Sequence, residues 1–160
     1  CVTWLSRNEG DDAMFKKILI AYDGSTGAWH ALEKAAELSK LCGSELVVLT
    51  VYRHHSILEA SLSMVRGSMD SNANLDDIMR TVSREAAEEA KAHAKELGVG
   101  KVNAFIKGGP SARTIVGFAK EKGCDLIIVG ARGLGSAEGY MLGSVSHKVT
   151  SLSSVPVLVI

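Results

Sequence analysis

The sequence predicts an α/β fold, a doubly wound sheet of five parallel strands in the order 3-2-1-4-5 with helices on both faces. Short apolar runs alternate along the chain with longer segments whose apolar residues recur at helical spacing, a pattern typical of parallel strands joined by helical crossovers. The runs are continuously apolar, which indicates strands that are covered on both faces. The 160 residues suffice for one domain with its own core.

The first half of the chain has the pattern of strand, helix, strand. Apolar runs at 17–21 and 45–51 predict the two strands, and the helical period over 27–41 predicts an amphipathic helix that ends near Gly43. The segment 52–74 shows no sustained period. We expect a long loop or a partial helix there.

The second half repeats the alternation. Strands are predicted at 102–106, near an edge of the sheet, and at 126–129, and the helix between them starts beside Pro110 and ends near Gly123. The long helix before the third strand is expected to bury a face formed by Leu75, Ile78, Met79, Val82, Ala86, Ala90, His93 and Leu97.

The end of the chain predicts a fourth helix and a fifth strand at 155–160. Pro156 cannot donate a ladder hydrogen bond, so this strand should lie at an edge. The strand order changes direction between strands one and four, where ligands of such sheets bind. The buried face of the fourth helix is expected at Leu142, Val145, Val149 and Leu152.

Composition excludes several classes of partner. Eighteen basic and eighteen acidic residues cancel, so no net charge favours nucleic acid or an anionic membrane, and no apolar run reaches membrane-spanning length. The odd set Cys1, Cys42 and Cys124 predicts reduced thiols in a cytoplasmic protein. We interpret 1–13 as an extension, either disordered or foreign to the domain, and 14–160 as the single domain.

The stretch 125–144 contains the main functional pattern. An apolar run ends at Gly130, and Gly133 follows after two residues; nine residues later Gly143 and Ser144 precede the fourth helix. Glycines let a ligand approach the main chain, and a helix N-terminus offers N–H donors to an anion. The pattern predicts a phosphate cradle.

This glycine spacing, together with the run ILIAYDGS at 18–25, resembles the universal stress protein family, and the resemblance covers about 16–160. It implies the adenine nucleotide alpha hydrolase-like fold and the subclass that binds ATP. The nucleotide-binding residues that it implies are Ala21, Tyr22, Asp23, Val51, Val129, Gly130, Arg132, Gly133, Gly143, Ser144 and Val145.

The resemblance also implies roles for these residues. The glycines, Ser144 and the main-chain N–H of Val145 would surround the ribose and the phosphates. Ala21 and Val51 would flank the adenine, and Val129 would pack under the sugar. The Asp23 carboxylate would accept a hydrogen bond from a ribose hydroxyl or help to hold Mg²⁺.

Simpler interpretations remain for several of these residues. The glycine loop could end in a Ser144 N-cap without a ligand. Asp23 could only cap the first helix or stabilise its turn, and Arg132 could be an exposed loop residue. The pair His54-His55 lacks a third metal ligand at suitable spacing, which favours a solvated loop.

These observations predict a nucleotide-binding regulatory or stress-response protein more than an enzyme. The chain lacks the Gly-x-x-x-x-Gly-Lys-Ser/Thr motif, so it is not a Walker-type NTPase. The expected ligand is ATP, or AMP or ADP, with Mg²⁺ as a further candidate, and the expected partner is a second copy paired through 155–160. The alternatives are a slow ATPase and a nucleotide-free dimeric scaffold.

Overall fold

A sheet of five parallel strands in the order 3-2-1-4-5 forms the centre of the fold, which confirms the predicted topology. The computed structural model describes residues 13–53, 70–132 and 141–160. Most of the two segments 1–13 and 52–74 therefore lies outside the described residues. The strands are β1 (Lys17–Ala21), β2 (Glu45–Tyr52), β3 (Val102–Gly108), β4 (Leu126–Val129) and β5 (Val157–Val159).

Helices cover both faces of this sheet. Two of them pack with one apolar cluster and two with the other, so the molecule has three layers. On one face lie α1 (Thr26–Cys42) and α2 (Asp70–Glu96); on the other lie α3 (Ser111–Lys122) and α4 (Ser144–Leu152).

The two clusters follow from strand alternation. Ile18 and Ile20 of β1 are fully buried on the α1 and α2 side, and Leu19 between them is fully buried on the α3 and α4 side. Each such side chain contributes about 1.5–3 kcal/mol of transfer free energy. The continuous apolar runs are therefore explained by burial of both faces.

Local signals set the ends of α1. The Ser25 hydroxyl accepts a hydrogen bond from the N–H of Ala28 at 3.1 Å, which satisfies one of the unpaired donors of the first turn. Gly43 has a φ of 64° and ends the helix in the left-handed conformation. The predicted end near Gly43 is confirmed.

The predicted buried face of α2 is wrong in its first half. The fully buried side chains of α2 in the cluster on this face of the sheet are small, Ala90 and Ala94, because small residues let a helix lie close to its neighbours. The large apolar residues precede this contact and are 36–56% exposed. They are Leu75, Ile78, Met79 and Val82.

Both sheet edges are where the sequence places them. Among the described strands, β3 and β5 each pair with one other, although β3 continues to Gly108 and β5 is shorter than predicted. In α4, Val149 is fully buried as expected, but Leu142 lies before the helix and both it and Leu152 are exposed. Within the described ranges, no helix combines the length and apolar character needed to cross a membrane.

Candidate functional site

The candidate site lies where the sheet changes winding direction. β1 pairs with β2 on one side and with β4 on the other. After β1 the chain continues into α1 on one face of the sheet, and after β4 it continues toward α4 on the opposite face. Because the strands are parallel, the ends of β1 and β4 at Ala21 and Val129 form one side of the same crevice. This is the position predicted from the sequence.

Three apolar side chains lie on one face of the sheet at this crevice. Ala21, Val51 and Val129 all belong to the cluster on the α3 and α4 side of the sheet. Val129 is buried, whereas Ala21 and Val51 are half-buried. The structure therefore brings together, on one face, the three residues expected to contact adenine and sugar.

Tyr22 does not share that face. Its side chain is 5% exposed within the α1 and α2 cluster, with its ring centroid 6.5 Å from that of Trp29. Burial raises the pKa of the Tyr22 hydroxyl, and the negative charges of Glu89 and Asp23 add to this effect. Tyr22 can therefore contribute main-chain atoms to the crevice, but its ring belongs to the core.

Asp23 lies at the exposed start of the turn after β1. Its Oδ1 accepts a hydrogen bond from the N–H of Ser25 at 2.9 Å, which is the Asx turn that the sequence left as an alternative. The helix cap itself is Ser25. The turn fixes the carboxylate beside the crevice, where it can face a ligand hydroxyl or cation.

Packing requires a glycine at position 130, which the sequence did not reveal. A Cβ atom at this position would lie 2.9 Å from the carbonyl carbon of Gly27, in the first turn of α1. A Cβ at Gly27 would in turn lie 2.7 Å from the carbonyl oxygen of Arg132. The loop after β4 therefore contacts α1 backbone to backbone, which two glycines permit.

Hydrogen bonds attach the start of α4 to the same loop. Ala131 accepts at its carbonyl oxygen from the N–H of Gly143 at 2.7 Å and from the hydroxyl of Ser146 at 2.9 Å, and its own N–H donates to Ile160. A Cβ at Gly143 would lie 3.2 Å from that carbonyl oxygen. Gly143 is thus a site of close approach, and Ser146 is an anchoring residue that sequence reasoning missed.

No described side chain caps the N-terminus of α4. Its N-cap residue is Gly143, and Ser144 is the first helical residue. The alternative of a Ser144 N-cap is therefore wrong, because its hydroxyl does not occupy the capping position. The first-turn N–H groups, which include those of Ser144 and Val145, form a donor set suited to an anion.

Arg132, Gly133 and the metal candidates remain to be placed. Arg132 is exposed, and its contact with α1 is made by its carbonyl group. Gly133 and the pair His54-His55 lie outside the described residues. In the described ranges, no group of three His, Cys, Asp or Glu side chains could hold a metal ion. Mg²⁺ is often bound by one or two carboxylates plus ligand phosphates, and Asp23 fits only that mode.

A cavity of about 1020 Å³ opens beside the N-terminus of α4. Ser144 and Val145 line it on one side, and the first turn of α3, including Arg113, lines it on the other. Arg53 and Lys148 also contribute to its wall. The sequence analysis assigned no functional role to these three basic residues, because they follow no local motif.

Comparisons with known proteins identify relatives of the whole domain. A family model described as the universal stress protein family matches residues 14–160. The universal stress protein YxiE of Bacillus subtilis is 40% identical over 150 residues, which cover 92% of this chain and 99% of that protein.

Solved structures share the same architecture. The structure of protein MJ0577 of Methanocaldococcus jannaschii has a TM-score of 0.76 at 29% identity, and the match covers 92% of this chain and 96% of that one. The universal stress protein from Archaeoglobus fulgidus, solved in complex with dAMP, has a TM-score of 0.64 at 22% identity, with 91% and 97% covered. At that identity the likeness establishes the fold.

Proposed function

The chain belongs to the universal stress protein family, and we propose that it binds an adenine nucleotide at the carboxyl ends of β1 and β4. The observation that carries this proposal is the start of α4, where a helix whose N-cap residue is Gly143 is hydrogen-bonded to Ala131, just after β4 at the switch point of the sheet. The relative from Archaeoglobus fulgidus that holds dAMP supports an adenine nucleotide as the ligand.

The parts of the nucleotide fit successive parts of the crevice. The adenine and the sugar would lie against Ala21, Val51 and Val129, and the phosphates would accept hydrogen bonds from the N–H groups of Ser144 and Val145. The Asp23 carboxylate would accept a hydrogen bond from a ribose hydroxyl. Mg²⁺, when bound, would neutralise phosphate charge beside the same carboxylate.

Binding is better supported than catalysis. Efficient phosphoryl transfer needs a positioned metal, a cation and a water-orienting group around the reacting phosphate. At the end of β1 the structure supplies one exposed carboxylate, Asp23, whose Oδ1 is engaged by the turn. We therefore propose a regulatory protein whose contacts depend on the bound nucleotide, with slow ATP hydrolysis as the alternative.

A proline substitution tests the role of the α4 N-terminus. Ser144→Pro removes one N–H donor at the first helical position, where proline is well tolerated, and the extended conformation of Gly143, φ −60° and ψ 158°, suits a residue before proline. A lost hydrogen bond to a charged group costs about 1.5–3 kcal/mol. Calorimetric titration should show ATP and AMP binding weakened about tenfold or more.

The matched control is Ser144→Ala, which removes the hydroxyl and keeps the N–H group. Its affinity for both nucleotides should stay within about threefold of the wild-type value, since the hydroxyl does not cap the helix. Equal affinities for the proline and alanine variants would contradict the proposed contact. Absence of nucleotide binding by the wild-type protein would favour the nucleotide-free scaffold instead.

We also propose a cytoplasmic homodimer. The side chains of Cys42 and Cys124 are free thiols, and burial raises the pKa of the Cys124 thiol to about 11. Such a thiol is poorly reactive at neutral pH, as suits a structural cysteine in a reducing compartment. The dimer would form at the apolar edge of β5.

A further inference from the structure

The cavity beside α4 continues from the proposed phosphate-binding end of the crevice. Its described lining shares Ser144 and Val145 with the nucleotide site, and it extends along α4 to Lys148. The opposite wall is the loop at Gly109 and the first turn of α3. An anion held by the start of α4 therefore has about 1020 Å³ of space beside it.

The charged residues in the described lining of this cavity are all basic. Arg53, Arg113 and Lys148 line it together with His147, and its described lining contains no Asp or Glu. Arg53, Arg113 and Lys148 are exposed, and within the described residues no ion pair engages them. Because the whole chain has no net charge, this concentration of positive charge is local.

The start of α3 adds main-chain donors to the same wall. Its N-cap residue is Pro110, which makes no side-chain capping hydrogen bond. The carbonyl group of Pro110 accepts from the N–H of Thr114 at 2.9 Å, so the first-turn N–H groups precede that residue and lie at the cavity. Two helices that start at one cavity add their partial positive charges there.

A single phosphate on α4 would leave this basic cavity unused. Resting on the proposed nucleotide site, we infer that the protein selects nucleoside polyphosphates over monophosphates, and that Arg113 on α3 and Lys148 on α4 determine this specificity by facing the distal phosphates. Both are long cations on separate helices, and neither has an ion-pair partner among the described residues, so they can approach one polyphosphate chain from two sides. Their role is to discriminate among nucleotides.

Calorimetric titration with ATP, ADP and AMP tests this specificity on the wild-type protein, Arg113→Gln, Lys148→Gln and the double variant. The wild-type protein should bind ATP at least about tenfold more tightly than AMP, and each substitution should weaken ATP binding about threefold to tenfold. AMP affinity should stay within about twofold. The matched control Arg84→Gln removes an exposed cation from α2, on the other face of the sheet, and should change neither affinity.

The outcomes separate this inference from the proposed function. Equal wild-type affinities for ATP and AMP, or equal losses of both in the variants, would overturn the selection by distal phosphates while leaving nucleotide binding intact. Failure of every nucleotide to bind would overturn both. Inorganic tripolyphosphate should compete with ATP; tripolyphosphate that binds without displacing ATP would show a separate anion site and also overturn the inference.

Discussion

Gly130 lets the loop after β4 approach the first turn of α1 because it has no side chain. Its Cα faces the backbone of Gly27, and an added methyl group would meet the carbonyl carbon at 2.9 Å and the N–H nitrogen of Ala28 at 3.1 Å. Backbone atoms in the first turn of a capped helix cannot move aside as a flexible side chain can. The glycine therefore serves packing whether or not a nucleotide is bound.

Gly130→Ala should lower the free energy of unfolding by about 1–3 kcal/mol, the usual cost of overpacking. Gly117→Ala is the matched control, since Gly117 lies in α3 with no atom within 4 Å of an added Cβ. Alanine in a helix interior should stabilise the protein by about 0.5–1 kcal/mol. Urea denaturation monitored by circular dichroism measures both values, and a neutral Gly130→Ala would refute the packing argument.

Some of the site could be predicted at this scale and some could not. Strand alternation suffices to place Ala21, Val51 and Val129 on one face, and the same alternation would have placed Tyr22 on the other. The opposition of Gly27 and Gly130 could not be predicted, because it joins residues about a hundred positions apart. The family resemblance explained Gly130 by its ligand, and packing supplies a second reason.

Glu45 joins three strands at the end of the sheet opposite the crevice. At the start of β2 its carboxylate lies 3.1 Å from Lys101 Nζ and 3.6 Å from Lys17 Nζ, and it accepts a hydrogen bond from Asn103 Nδ2 at 2.8 Å. Burial acts to raise the pKa of Glu45, but the hydrogen bonds from Lys101 and Asn103 and the charge of Lys17 outweigh it, so the pKa lies below 4.5. The ionised form therefore stabilises the strand register.

Glu45→Gln should lower the free energy of unfolding by about 1 kcal/mol at pH 7. Because the folded pKa is depressed, the stabilisation is present above the unfolded value of 4.5 and is lost as pH falls through the folded pKa. The difference between wild type and variant should therefore shrink toward zero at acidic pH. Urea titrations between pH 3 and pH 7 test this, and a difference independent of pH would contradict it.

The control for this prediction is Glu37→Gln. Glu37 forms an exposed pair with Lys34 at 3.0 Å within α1, and such pairs contribute about 0.5 kcal/mol or less. The comparison distinguishes a carboxylate that joins strands from one on the surface of a single helix.

Helix faces were harder to predict than strands. Apolar size indicated Leu75 and Ile78 as core residues of α2, yet the buried contact with the sheet uses Ala94 and, as predicted, Ala90. The sequence period identifies a helix, but the neighbours decide which stripe is buried. The same reason explains why Ser146, and not Leu152, is buried in α4.

The edge at β5 bears on the assembly of the whole molecule. β5 pairs only with β4 among the described strands, and Leu158 and Leu152 beside it are 38% and 51% exposed. An unpaired apolar edge favours association with another copy. A two-fold contact there would cover it without occupying the crevice between β1 and β4.

Leu158→Lys should convert a dimer into a monomer, because a charge in the contact would lose its hydration. Sedimentation equilibrium at micromolar concentration measures the mass of each species. Leu41→Lys is the control, since Leu41 is 85% exposed on α1, away from β5. Sedimentation of the wild-type protein as a monomer would contradict the proposed dimer.

The central claim is that main-chain N–H groups at the start of α4 hold the phosphates of an adenine nucleotide. A crystal structure of the wild-type protein grown with saturating ATP tests it most directly. We predict phosphate oxygens about 3 Å from the nitrogen atoms of Ser144 and Val145, with the base over Ala21 and Val51. A crevice that holds only water under those conditions, or a nucleotide bound at another place, would contradict the claim.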